Sequence, residues 1–171
     1  MKNPMRLQEM VEQKIYNVID NKLKKFIKPS FSFNEVKDID LEIVKKLKKE
    51  YGIAGIILDV DETLRKDMMT IPDCNKEWVE FMKKEFKVII LSNGIDKKIK
   101  EYAKENEIGY ISFAKKPLKR GFFSACDMMG LYPENILVIG NDIICDIYGG
   151  NRSGMFTALI NGVRDNNGFE R

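Results

Sequence analysis

The 171-residue chain contains no histidine. That absence removes Ser-His-Asp and Cys-His hydrolases, imidazole-ligated zinc and histidine general bases, and leaves acid-base chemistry to carboxylates, lysine, tyrosine or cysteine. Cysteine is scarce as well. Cys74, Cys126 and Cys145 are odd in number, far apart and form no CxxC pair, which fits reduced thiols in the cytosol rather than a disulfide or zinc framework. Long apolar runs are missing too: AGII before residue 58 and ILVIG at 136–140 are far too short to span a bilayer. The opening residues, MKNPMRLQEM, lack the apolar core of a secretory signal. These absences predict a cytoplasmic protein, and the length suits one domain of ordinary size that needs no staple.

Charge is present but unevenly spread. Of the net +3, residues 1–28 hold seven basic side chains against three acidic ones, leaving 22 basic and 23 acidic in the remainder. Leu7, Val11, Ile15, Val18, Ile19, Leu23 and Phe26 recur at three- and four-residue intervals, so an amphipathic helix is predicted over roughly 5–27, ended by Lys28-Pro29-Ser30. A second helix is predicted around 39–50, closed by Tyr51-Gly52. The division read from this pattern is an N-terminal helical segment, 1–50, and an α/β domain, 51–171.

From residue 51 the pattern alternates. Strands are predicted at 54–60, 87–92, 108–113, 135–140 and 155–160, with helical periodicity between them in WVEFMKKEF, IKEYAKEN and LKRGFFSACDMM, and with Pro117 at a helix start. Strand and helix in alternation, with apolar strands, indicate a five-stranded parallel sheet covered by helices on both faces. Ligands bind such sheets beyond the carboxyl ends of the strands.

The first of those strand ends, ILDVDETLR at 57–65, delivers two aspartates separated by one valine. Asp59 and Asp61 should project to the same side, and two carboxylates so close both ionise only beside positive charge. The second strand ends in Ser92-Asn93-Gly94, the third is followed by Lys115-Lys116-Pro117, and the fourth by Asn141-Asp142 with Asp146 four residues on. Taken singly these read as an acidic turn, a polar turn, surface lysines and helix N-terminal acids. Trp78 and Cys145 read as packing residues.

In that order on consecutive strands the four motifs resemble the haloacid dehalogenase (HAD) superfamily over roughly residues 52–162. The resemblance implies a Rossmann-like HAD fold and a magnesium-dependent phosphomonoester hydrolase. It casts Asp59 as the nucleophile that forms an aspartyl phosphate and Asp61 as general acid, then base. Lys116 would offset charge, and Thr63, Ser92 and Asn93 would serve the substrate phosphoryl group. The metal set implied is Asp59, Asp61 through its carbonyl, and Asn141 or Asp142 with Asp146 in support, suited to Mg2+ by its oxygen donors. One departure stands out: GNDIICD puts Asn141 where the family usually has an acid after glycine.

The two stretches where such proteins insert a cap domain, 64–86 and 93–115, hold 23 residues each, room for one crossover helix and no cap. AKKPLKRGF, GGNRSGM and the segment before GIILDVDETL resemble the YqeG-like group of HAD subfamily IIIA, relatives of phosphatidylglycerophosphate phosphatases, although that group commonly has Asn where this chain has Glu62. The substrate implied is a large or membrane-presented phosphate such as a phospholipid, with residues 1–28 as a peripheral membrane contact and no nucleic-acid partner. Two rivals remain: a receiver-like phosphoacceptor domain, and a HAD pseudoenzyme that binds a partner, motivated by Asn141.

Overall fold

A computed structural model describes residues 26–66 and 69–163. The predicted helix over 5–27, apart from its last two positions, and nearly all of the 1–28 segment expected at a membrane lie outside the described residues.

Six parallel strands form one sheet: β1 (Phe31–Phe33), β2 (Gly55–Leu58), β3 (Lys87–Leu91), β4 (Gly109–Ile111), β5 (Ile136–Gly140) and β6 (Phe156–Ile160), in the order β1-β6-β5-β2-β3-β4. The five predicted strands are present, and β1 is an addition within 1–50. FSF is short, and its burial of intermediate-exposed-intermediate marks a half-covered edge. Pairing of Phe31 to Phe33 with Ala158 to Ile160 fixes it there, with Phe31 edge-on to Tyr51, ring centroids 5.0 Å apart. A three-residue strand gives too little periodicity to read in advance.

The helices are α1 (Leu41–Tyr51), α2 (Asp73–Glu85), α3 (Lys97–Glu105), α4 (Lys119–Met129) and the short α5 (Gly149–Arg152), the last following a π-helix at Ile143–Tyr148. Asp40 and Asp96 cap α1 and α3 by accepting two amide N–H bonds each, and Gly52, at φ 66, closes α1 in the left-handed region open to glycine. Pro117 does not begin α4 as predicted. It lies in the turn before the helix, after a cis Lys116–Pro117 bond.

Alternation along the strands splits the core. Ile56, Leu58, Ile90, Leu137 and Ile139 face α1, α2 and α3, where Val44, Leu47, Trp78, Val79 and Ile99 pack; Ile57, Ile89, Leu91, Ile136 and Val138 face α4, with Phe122, Ala125 and Cys126. β2 and β5 are buried at every residue. Both sit at the sheet's centre, so the loops that leave their carboxyl ends start from its most rigid part.

Candidate active site

β2 ends at Leu58, but the ladder runs one residue further through Asp59 N–H to the Ile139 carbonyl (2.9 Å). The chain then turns tightly: the Val60 carbonyl accepts from the amides of Thr63, Leu64 and Arg65. Asp59 is thereby fixed to the sheet, whereas Asp61 rides on the turn.

Lys116 reaches Asp59 from the loop after β4. Its Nζ donates to Asp59 Oδ1 at 2.8 Å and to Asp146 Oδ1 at 2.6 Å, and its side chain is only 3 % exposed. Burial works against the ammonium, yet Asp146 and Asp59 outweigh it and hold its pKa above the ordinary lysine value. Asp146 is wholly enclosed; burial, then repulsion from Asp59, raises its carboxyl, and Lys116 opposes that rise. Its second oxygen accepts from the Asp142 amide (3.1 Å). Gly140 makes this approach possible, since a Cβ there would overlap the Asp146 carboxylate.

The loop that carries Lys116 is clamped from β3. Asn93 accepts from Lys116 N–H at 2.6 Å and donates through Nδ2 to the Lys116 carbonyl at 3.1 Å. The same carbonyl accepts from the Cys145 thiol (3.7 Å). Burial, then Asp142 and Asp146, push that thiol up to about 11, so it stays protonated at neutral pH. Ser92 Oγ accepts from the Gly94 amide at 3.2 Å.

Of the predicted residues, Asp59, Thr63, Lys116, Asn141 and Asp146 converge. The Thr63 hydroxyl, fully buried, donates to Asp59 Oδ2 (3.2 Å) and stands 3.4 Å from Asn141 Oδ1. Asp142 is occupied elsewhere, because its Oδ1 caps the π-helix by accepting from the amides of Ile144 and Cys145. Asp61 is not joined to Lys116. It pairs with Arg65 Nε at 2.7 Å, and the same guanidinium reaches Asp96 Oδ2 at 2.7 Å and the Met69 carbonyl at 3.2 Å. Lys116 meets Asp59, and the cation beside Asp61 is Arg65. The turn after Val60 carries Asp61 away from the sheet toward a cation of its own. Arg65 is 1 % exposed; burial opposes its charge, and Asp61 and Asp96 hold its pKa above the usual value. Sequence reading missed it. The available signal was opposite charge four residues apart, Asp61 to Arg65.

Lys116 is thus shared by Asp59 and Asp146, and Arg65 by Asp61 and Asp96. No cluster of three His, Cys, Asp or Glu side chains fit to hold a metal occurs among the described residues. The donors at hand are instead mixed oxygens, the Asp59 carboxylate and the Asn141 amide, of the hard kind Mg2+ takes.

A family model described as mitochondrial PGP phosphatase matches residues 11–164. A protein of Bacillus subtilis (strain 168) described as probable phosphatase YqeG is 36 % identical over 149 residues, 86 % of this chain and 84 % of that one. Among solved structures, a hypothetical protein from Xanthomonas campestris aligns with a TM-score of 0.56 at 13 % identity, over 76 % of this chain and 75 % of the other. The 3-deoxy-D-manno-octulosonate 8-phosphate phosphatase of Yersinia pestis aligns with a TM-score of 0.51 at 14 % identity, over 71 % and 70 %. At such identities the two structures speak for the fold alone.

Proposed function

For a chain that belongs to the mitochondrial PGP phosphatase family, and is a HAD-type phosphatase of the YqeG-like group, we propose a two-step phosphomonoester hydrolysis through an aspartyl phosphate on Asp59. The observation that carries it is the Lys116 ammonium held between Asp59 and Asp146. A buried, permanently charged lysine steadies the Asp59 carboxylate and the negative charge of a phosphoryl group brought to it. Asp59 attacks phosphorus in line, the bond to the leaving oxygen breaks, and Asp61 gives that oxygen its proton. Asp61 then takes a proton from water, which attacks phosphorus and releases phosphate, restoring Asp59. At 48 % exposed, Asp61 meets both substrate and water.

Asp59, the Asp61 carbonyl and Asn141 would hold Mg2+, which supplies charge neutralisation of the phosphoryl oxygens. Asn141 is preferred to Asp142 because its oxygen lies beside Thr63 and Asp59. Asp146 then acts behind Lys116 rather than on the metal, and Thr63 orients Asp59. Ser92 and the Asn93 backbone amide would receive a phosphoryl oxygen, since the Asn93 side chain is committed to Lys116.

The substrate proposed is a membrane-presented phosphomonoester, phosphatidylglycerophosphate in the first place. The family description and a site with no inserted cap among the described residues support it. We place the protein in the cytoplasm with peripheral membrane contact through residues 1–28, and divide the chain into an N-terminal segment, 1–50, and an α/β domain, 51–171, to whose sheet the first segment contributes β1. Among the described residues no helix is long and apolar enough to cross a membrane. The receiver-like rival loses its support to the family match. Release of phosphate from p-nitrophenyl phosphate and from phosphatidylglycerophosphate, with and without a chelator, is the test. Turnover unaffected by chelation would remove the metal from this reading, and turnover of the aryl ester alone would remove the lipid.

A further inference from the structure

Eight large apolar side chains are markedly exposed among the described residues, and four of them stand on loops at the carboxyl ends of strands: Met69 after β2, Ile95 after β3, and Phe113 and Leu118 after β4. Single exposed apolar residues are ordinary on a protein surface. These are linked. Arg65 donates to the Met69 carbonyl and pairs with Asp96, the neighbour of Ile95, while Asn93 clamps Lys116, between Phe113 and Leu118. The groups therefore border the same mouth as Asp59 and Lys116.

Phe113 adds a second observation. It sits at φ 50, a left-handed conformation uncommon for a bulky residue, with 63 % of its surface in solvent. A strained backbone here projects a phenyl ring outward instead of covering it. The segment that carries it is basic. Residues 112–120 contain no acid and expose Lys115, Lys119 and Arg120; beside them Lys97 and Lys98 are exposed, and Asp96 is taken up by Arg65.

We propose that Ile95, Phe113 and Leu118, with the surrounding lysines, form a docking rim that seats the mouth of the site on an anionic lipid bilayer. The inference rests on the phosphatase reading above and deepens it: the rim is where a substrate headgroup would pass from membrane to Asp59. Basic residues interleaved with apolar ones suit the interface between headgroups and acyl chains. Each lysine held at an anionic surface strengthens attachment about fivefold, and the apolar side chains add insertion. None of the rim residues belongs to the 1–28 segment.

The test is co-sedimentation of the full chain with phosphatidylcholine vesicles, with and without phosphatidylglycerol. The comparison is the triple variant Ile95→Ser, Phe113→Asn, Leu118→Ser; Asn tolerates the positive φ. All three positions are more than half exposed, and Ser at the α4 N-cap and Asn at positive φ favour the fold, so the temperature of thermal unfolding should not fall and reports an intact fold. The wild type should pellet with the anionic vesicles only, and the triple variant should lose at least about tenfold in partition. Absence of wild-type binding, or equal binding by the variant, overturns the rim; the second result would put attachment elsewhere, residues 1–28 included. Loss on Lys97→Gln, Lys98→Gln, Lys115→Gln together, with the apolar triple still binding fully, would mean a surface for polyanions in general and also overturns it. Because the readout is partition, a protein that docks as expected yet hydrolyses no phosphate ester would defeat the phosphatase reading and leave the rim standing.

Discussion

The two aspartates of the DVD turn each pair with a buried cation, and the two arrangements differ in a way that suits the roles proposed for them. Lys116 lies between Asp59, 16 % exposed, and Asp146, 1 % exposed; Arg65 lies between Asp96, 16 % exposed, and Asp61, 48 % exposed. In the first only Asp59 reaches solvent, and its carboxylate is held in place by a buried ammonium. In the second, one carboxylate stays in solvent while the guanidinium holds its place. A nucleophile benefits from the former, because its attacking oxygen must be held in position. A proton carrier needs the latter, because it must meet water and leaving group in turn.

Asp59→Asn attacks the comparison at its strongest point. Turnover should vanish because an amide cannot form the acyl phosphate, and the fold should survive because Lys116 keeps Asp146. Steady phosphate release near the wild-type rate would sink the covalent route. Lys116→Met should lower turnover by about two to three orders of magnitude. It should also cost about 3–5 kcal/mol of stability, since the buried Asp146 loses its cation and keeps only the Asp142 amide. Adding Asp146→Asn should recover most of that stability and none of the turnover. Should denaturant titration and activity recover together, Lys116 would be a structural cation only.

Arg65→Gln should act more mildly. Asp61 remains solvated, so the stability loss should be about 1–3 kcal/mol, chiefly from Asp96 and the Met69 carbonyl. Turnover should fall about tenfold on an alkyl phosphate, whose leaving oxygen needs a proton, and less on p-nitrophenyl phosphate, whose leaving group does not. Equal losses on both esters would detach Arg65 from proton transfer.

The difference between the two regions is also a difference in legibility. Lys116 could be read from the chain because it follows a predicted strand and falls in a motif with Asp59, and the five central strands announced themselves by apolar runs. Arg65 was harder to read, because its spacing from Asp61 equally suits a solvated surface charge; the tight turn at the Val60 carbonyl and the cap residue Asp96 help enclose it. The choice between Asn141 and Asp142 was likewise open in the sequence. The preference proposed for Asn141 rests on Asp142 capping the π-helix, a wide turn with no signature in residue spacing. Strand β1 was missed for its brevity, and its place depends on pairing with β6, more than a hundred residues away.

The smallest expected effect is the pH dependence of the Arg65 arrangement. Burial alone would raise Asp96, but Arg65 and the amides of Ile99 and Lys98 outweigh it and hold its carboxyl below the ordinary range. A group with a depressed folded pKa contributes stability that is present above its unfolded value, near pH ~4, and is lost as pH falls through the folded one. Asp96→Asn keeps the shape and part of the α3 cap but removes that contribution. The stability gap between wild type and variant, from denaturant titrations, should be widest near neutral pH and close as pH drops below about 4. A gap that stayed constant down to pH ~2 would mean that Asp96 holds Arg65 by shape rather than by charge. Asp61 would then depend on the turn at Val60 for its position, and the two buried cations would no longer be counterparts.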